Sequence, residues 1–287
     1  MSDIAISGVI DGSDTKPVVI ALHCSGSSGR QWSRLAATLD GRCALIAPDL
    51  IGCGANPPWS GQRRFSLADE AWPIIDIVDA QEGPVHLVGH SYGGCVALSV
   101  ARERPERIAS LSLYEPTAFH VLRSIAADGR TALEQICCVA GEVSEGVIAG
   151  NYQAAAHRFI DYWSGEGTWV GMRPESQADV VRYIPKAPHE FNAVIEEPAP
   201  LAAFRRLECP VLPMRGALAP KSTALIAQKL FSIIRDAVLK EIPAAGHMGP
   251  FSHAERVNEM VAAHVLRAAG LDRAENRKTP AWVPAAP

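Results

Sequence analysis

Seven residues constrain this chain more than any others: Val88-Gly89-His90-Ser91-Tyr92-Gly93-Gly94. The apolar run Pro84-Val85-His86-Leu87-Val88 leads into them, and the helix-forming run Cys95 to Ala101 follows. The spacing predicts a strand, a very sharp turn and a helix. Gly-x-Ser-x-Gly at such a junction has the pattern of a nucleophile elbow. Ser91 must adopt a strained backbone so that its hydroxyl stands clear of the sheet edge. Gly89 and Gly93 carry no Cβ, so neighbouring chain can pass close to the turn. Tyr92 opens the helix, where amide N–H groups lack an intrahelical partner and can meet developing negative charge. A glycine-rich turn with an ordinary serine is the plain alternative, and the strand–turn–helix context argues against it.

The rest of the chain repeats this rhythm. Short strands are expected at Ile4–Ile10, Pro17–Leu22, Arg42–Ala47, Ile108–Tyr114, Cys209–Gly216 and Ala237–Ile242. The run Pro17-Val18-Val19-Ile20-Ala21-Leu22 is continuously apolar, as suits a strand buried on both faces. Helices are expected from about Arg30 to Leu39, from Ser66 toward Ala80 with Pro73 near its first turns, from Ser222 to Ile234 and from His253 to Ala269. This alternation places the chain in the α/β class, with a mainly parallel central sheet and helices on both faces. Between Thr117 and Arg206 the alternation stops, and a mostly helical insertion holding Tyr162 and Trp163 is expected to cover the site. The expected domains are therefore a core of residues 1–116 and 207–270, a helical insertion of 117–206 and a flexible tail of 271–287.

In an open parallel sheet, ligands bind beyond the carboxyl ends of the strands. His23, Asp49, Ser91, Glu115, Gly216 and the loop holding His247 all fall at that edge. A serine hydroxyl needs a base to take its proton as it attacks, and an imidazole is suited to that at neutral pH. His247, in the loop after the last strand, is the best candidate. His90 lies inside the turn with its side chain directed away from Ser91, and His86 lies in the strand.

Composition narrows the partners. A formal net charge of −4, with no block of Lys or Arg, points away from nucleic acid and anionic membranes. No basic region followed by an apolar run opens the chain, so no secretory signal is expected, and no run approaches a membrane span. The seven cysteines, at 24, 43, 53, 95, 137, 138 and 209, form no CxxC pair and no metal spacing. They suggest a reducing, cytoplasmic setting. A nucleophilic role for Cys24 or Cys95 is the lesser reading, since Ser91 holds the turn. Phosphate-loop and dinucleotide signatures are missing. The expectation is a small-molecule substrate, with no cofactor and no metal; the oligomeric state is left open.

The Ser91 turn, the loop His23-Cys24-Ser25-Gly26 after an early strand and the late Gly246-His247 together resemble the α/β-hydrolase superfamily over roughly Pro17 to Ala269. That resemblance implies the α/β-hydrolase fold, with the insertion in the place of the family's cap. It also implies a Ser–acid–His triad in that chain order. By analogy with the family's His-Gly-x loops, the amides of Ser25 and Tyr92 form the oxyanion hole, and His23 buttresses that loop. Cys24 stands where the family usually has Gly. The common family acid is the Asp of Gly-x-x-Asp after the seventh strand, but here Gly216-Ala217-Leu218-Ala219 puts alanine there. Some superfamily members carry the acid at the end of the strand next after the elbow strand, and Glu115 holds that place. The competing reading of Glu115 is a hinge residue paired with Arg215. Asp49 is the weaker candidate acid and reads as a loop anchor.

These readings predict a serine hydrolase that cleaves an ester or related acyl bond of a small organic molecule. Two rivals stay open: a hydrolase of C–C bonds in diketone-type substrates, and a silent binding homologue, which Ala219 motivates.

Overall fold

The computed structural model describes residues 16–271, so the expected strand at Ile4–Ile10 and most of the C-terminal tail lie outside the described residues. Six strands form one sheet: β1 (Val18–Leu22), β2 (Ala44–Ile46), β3 (Val85–His90), β4 (Ile108–Tyr114), β5 (Val211–Gly216) and β6 (Lys240–Ile242). Their spatial order is β2-β1-β3-β4-β5-β6, and every neighbouring pair is parallel. The order reverses between β1 and β3, so the loops leaving these two strands flank the crevice where open sheets take ligands.

Alternation along β1 shows how the sheet is buried. Ile20 and Leu22 point into one apolar core, Val19 and Ala21 into the other. The first core packs against α2 (Leu67–Asp79), α3 (Tyr92–Glu103) and α9 (Lys221–Ile233); the second packs against α1 (Ser33–Leu39) and α11 (Ala254–Ala268). Covering on both faces is what the continuous apolar run of β1 requires.

Local chemistry sets the element ends. The Asp69 carboxylate accepts hydrogen bonds from the Ser66 amide (2.9 Å) and hydroxyl (2.7 Å), closing the start of α2. Pro73 sits inside that helix, which continues past it to Asp79. The strand expected over Ala237–Ile242 is shorter. Only Lys240–Ile242 pairs regularly, and Ala237 makes a single bridge to Val211. As the edge strand it has one neighbour, and Lys240 and Glu241 are exposed.

Between β4 and β5 the chain is helical: α4 (Ala127–Ile148), α5 (Tyr152–Ser164), α6 (Thr168–Gly171), α7 (Pro174–Tyr183) and α8 (Ala187–Ile195), with a short 3₁₀ turn linking α7 to α8 and others flanking the segment. Its aromatic residues Phe159, Trp163, Tyr183 and Phe191 are buried in the first core. The short helix α10 (Gly249–Ser252) follows the His247 loop.

Candidate active site

The turn between β3 and α3 is strained as its sequence requires. Ser91 has φ 55° and ψ −119°, a conformation costing of order 1–3 kcal/mol that persists only where surroundings enforce it. Here the Ser91 amide donates to the Tyr114 carbonyl (2.9 Å), and its own carbonyl accepts from Cys95 (3.1 Å) and Thr117 (3.2 Å). A Cβ at Gly89 would come within 2.6 Å of Gly93 O and Gly94 Cα, and one at Gly93 would strike the carbonyl oxygens of Leu22 and His23. Both glycines are therefore dictated by close backbone passage.

Three buried side chains line up at the carboxyl edge. Ser91 Oγ lies 2.9 Å from His247 Nε2, and His247 Nδ1 lies 2.8 Å from Glu115 Oε2. Glu115 is fully buried at the end of β4 with φ 44°. Its Oε1 accepts from the Gly216 amide (2.8 Å), and its Oε2 also accepts from the Thr223 hydroxyl (2.8 Å). The buried carboxylate thus has donors at both oxygens. Arg215, the partner considered for it from the sequence, pairs instead with Glu241 at 2.8 Å. The Asp49 carboxylate accepts from the amides of Gly29 (2.8 Å) and Ala55 (3.1 Å) and so ties down its own loop.

His23, wholly buried, has its ring nitrogens divided between two backbone groups. Nε2 accepts from the Leu50 amide (3.0 Å), so Nδ1 carries the proton and donates to the Cys24 carbonyl (2.7 Å). Burial lowers its pKa to about 4, which keeps it neutral. The next residue, Ser25, donates its hydroxyl to the Glu190 carboxylate from α8. Tyr92 lies in the first turn of α3, where amides have no intrahelical acceptor. Ser25 and Tyr92 border the same narrow cavity, together with Trp163. Trp163 stacks on the His247 ring at 4.2 Å between centroids and 27° between planes, and Tyr162 reaches the Ser222 hydroxyl at 3.0 Å.

Two groups of residues at the site have no signature in the sequence. The first joins the Ser25 loop to the His247 loop. The Cys24 amide donates to Gln31 Oε1 (3.0 Å), Gln31 Nε2 meets His90 Nδ1 (3.1 Å), and His90 Nε2 meets the His247 carbonyl (2.9 Å). These partners make Nδ1 the acceptor and Nε2 the donor. Burial, helped by His247 close by, holds the His90 pKa well below its ordinary value, as that neutral tautomer needs. The second group is a buried charge cluster. Lys186 Nζ lies 2.9 Å from Glu190 Oε1 and 3.2 Å from Glu70 Oε2; Tyr183 donates to Glu190 (2.6 Å) and Tyr92 to Glu70 (3.2 Å). Burial works against the Lys186 charge, but Glu190 and Glu70 outweigh it and raise its pKa. The i, i+4 spacing of Lys186 and Glu190 is that of an ordinary surface pair and does not mark the cluster.

No group of three or more His, Cys, Asp or Glu suited to a metal occurs among the described residues, and none of their helices is long and apolar enough to cross a membrane.

The model of the alpha/beta hydrolase family matches residues 19–260. The lipase LipV of Mycobacterium tuberculosis is 35% identical over 122 residues, 41% of this chain and 41% of that protein. The chain spans less than half the length of the first curated relatives it matches. The pyrrolizixenacetamide deacetylase of Xenorhabdus hominickii is 23% identical over 276 residues, 91% of this chain and 93% of that protein. Among solved structures, MenH from S. aureus shares the fold, with a TM-score of 0.72 at 18% identity, covering 94% of this chain and 100% of that one. With a family match over most of its length and a parallel sheet of the same kind, this chain belongs to the alpha/beta hydrolase family.

Proposed function

We propose that the chain, a hydrolase by its family, cleaves an ester or related acyl bond of a small organic molecule through Ser91, His247 and Glu115. The observation that carries this reading is the unbroken line of contacts from Ser91 Oγ through the imidazole to the carboxylate, at 2.9 and 2.8 Å. Ser91 Oγ attacks the carbonyl carbon as its proton passes to His247 Nε2. The carbonyl oxygen, now negative, is held by the amides of Ser25 and Tyr92; one such donor is worth about 10²–10³ in rate. As the tetrahedral centre collapses, the bond to the leaving group breaks and the imidazolium returns its proton to that group. Water then enters, gives a proton to His247 and adds to the acyl-enzyme, and collapse releases the acid and restores Ser91. Glu115 fixes the tautomer with Nδ1–H and steadies the imidazolium. It supplies what alanine at position 219 lacks, which favours a working enzyme over a silent binding homologue.

The names lipase and deacetylase describe acyl-bond cleavage in two relatives, in keeping with this reading. The helical segment 117–206 acts as a cap, since Trp163 and Glu190 from it meet His247 and Ser25. Seven free cysteines, two of them exposed, suit a reducing, cytoplasmic setting.

A fluorophosphonate probe tests the reading. It should label Ser91, labelling should fall away in His247→Ala, and p-nitrophenyl acetate should be hydrolysed with the same dependence. A folded protein that neither reacts with the probe nor turns over the ester would refute it. Turnover of ring-cleavage dienones without turnover of esters would favour the C–C hydrolase.

A further inference from the structure

Two spaces of very different size border Trp163. The inner one, about 20 Å³, is bounded by Ser25, Tyr92, Phe119, Phe159 and Phe191 besides Trp163 itself. The outer one is an open groove of about 740 Å³ that runs past Tyr162, Arg158, Leu218, Lys221 and His247. The inner space has room for roughly one water-sized group. The outer space has room for a whole drug-sized molecule.

Their neighbours distinguish their roles. In acyl transfer the carbonyl oxygen must rest on the oxyanion donors, and the leaving atom must lie where the base can protonate it. Ser25 and Tyr92 border the inner space, and His247 does not; His247 borders the groove, and Ser25 and Tyr92 do not. The acyl chain therefore belongs inside and the leaving group outside.

The walls also differ in how far they yield. Around the inner space aromatic rings pack on one another: Phe159 lies 5.7 Å from Tyr183, 6.1 Å from Phe191 and 6.3 Å from Trp163 between centroids. Glu190, beneath them, is bound to Lys186, Tyr183 and Ser25. Such a packed, pinned region resists enlargement, because a larger group forces side chains off their rotamers. The groove is bordered by Leu218, which is 71% exposed, and by Arg158 and Lys221, which pair at the surface with Glu142 and Asp128. Surface pairs of this kind hold weakly and rearrange easily.

We infer that the substrate is an ester of a very short acid, acetyl or propionyl, with a bulky, partly polar alcohol. This rests on the hydrolase reading above and adds the substrate class to it.

Two isomeric esters with similar aliphatic leaving alcohols isolate the point: cyclohexylmethyl acetate, short acid and bulky alcohol, and methyl cyclohexylacetate, the reverse. The full chain should favour the first by about 10²-fold or more in kcat/KM. Along p-nitrophenyl acetate, butyrate and hexanoate, kcat/KM should fall roughly tenfold per added methylene beyond propionyl. Phe191→Ala, or the milder Val194→Ala at another residue bordering the inner space should that variant not fold, should flatten the decline by opening it. Equal or reversed preference between the isomers, with p-nitrophenyl acetate still turned over through Ser91, overturns the inference and leaves the hydrolase reading standing. Failure to turn over any ester, with Ser91 unlabelled by the fluorophosphonate, overturns both.

Discussion

Among the described residues, buried serines meet histidines in two regions, and the two differ in nearly everything else. At the carboxyl edge, Ser91 meets His247 at 2.9 Å. Deeper in the sheet, Ser112 on β4 meets His264 on α11 at 2.9 Å, and Ser110 meets His86 at 2.8 Å. Distance alone does not separate them. Ser110 and Ser112 lie mid-strand, paired with His86 and Val88 in the parallel ladder with β3, which shifts register between Val85 and His86. No carboxylate hydrogen-bonds their imidazoles among the described residues, and neither His86 nor His264 borders the two spaces at Trp163, whereas His247 borders the outer groove. Ser91 instead lies at a strained turn, next to the free amides of a helix start, with a carboxylate behind its imidazole. A serine beside a histidine is common packing chemistry. Strain, a third charged partner and adjoining space are what mark a place for reaction.

Substitutions can break or sharpen this contrast. Ser91→Ala should reduce ester turnover by about 10⁴–10⁶-fold, whereas Ser112→Ala should leave turnover within about twofold and cost roughly 1 kcal/mol in stability. Parallel kinetics and thermal melts on both variants check this, and equal losses of turnover would erase the distinction. Glu115→Gln keeps the shape but loses the charge that steadies the imidazolium, so kcat should drop by about 10²–10⁴-fold with the fold retained. An unchanged kcat would remove Glu115 from the proposed triad. Gln31→Ala cuts the bridge between the Cys24 amide and His90. A kcat about tenfold lower at nearly constant KM is expected, because misplacement of oxyanion donor and base is felt in the transition state. A change in KM alone would mean that the bridge serves substrate binding.

The smallest effect comes from acid. Burial holds His86, His264, His23 and His120 near pKa 4, with His86 adding to the effect on His264, and all four lie below the ordinary imidazole value of 6.5. Between those values the unfolded chain binds protons that the folded chain refuses. Stability from these neutral imidazoles is thus complete above pH 6.5 and drains away as pH falls toward 4. Melting temperatures should drop by roughly 5 °C or more over that range. A flat profile would show that these rings are charged, or wet, in the folded protein.

The sequence made the strand positions legible because β1 is buried on both faces and continuously apolar, and β3 and β4, also buried, are apolar apart from His86, His90, Ser110 and Ser112. It also brought Ser91, Glu115 and His247 to one edge, since each directly follows a parallel strand or its loop. It could not show the Gln31–His90 bridge. Gln31 sits in a 3₁₀ turn with no pattern of its own, and its value depends on His90, 59 positions away, turning toward it. The Ser25–Glu190 contact spans 165 positions and depends on how α8 lands on the core. Edge strand β6 was overestimated because apolar residues at Ala237 and Val238 mimic a strand where only one bridge forms.

Placing the proposed acid, Glu115, at the end of β4 has a consequence for how this scaffold can change. Residues 217–220 are relieved of any titrating duty, yet Leu218 and Pro220 still form part of the groove wall. That short segment is a natural handle for redesign: its side chains can be exchanged to suit new alcohols, while the proton relay, anchored one strand away, keeps its alignment.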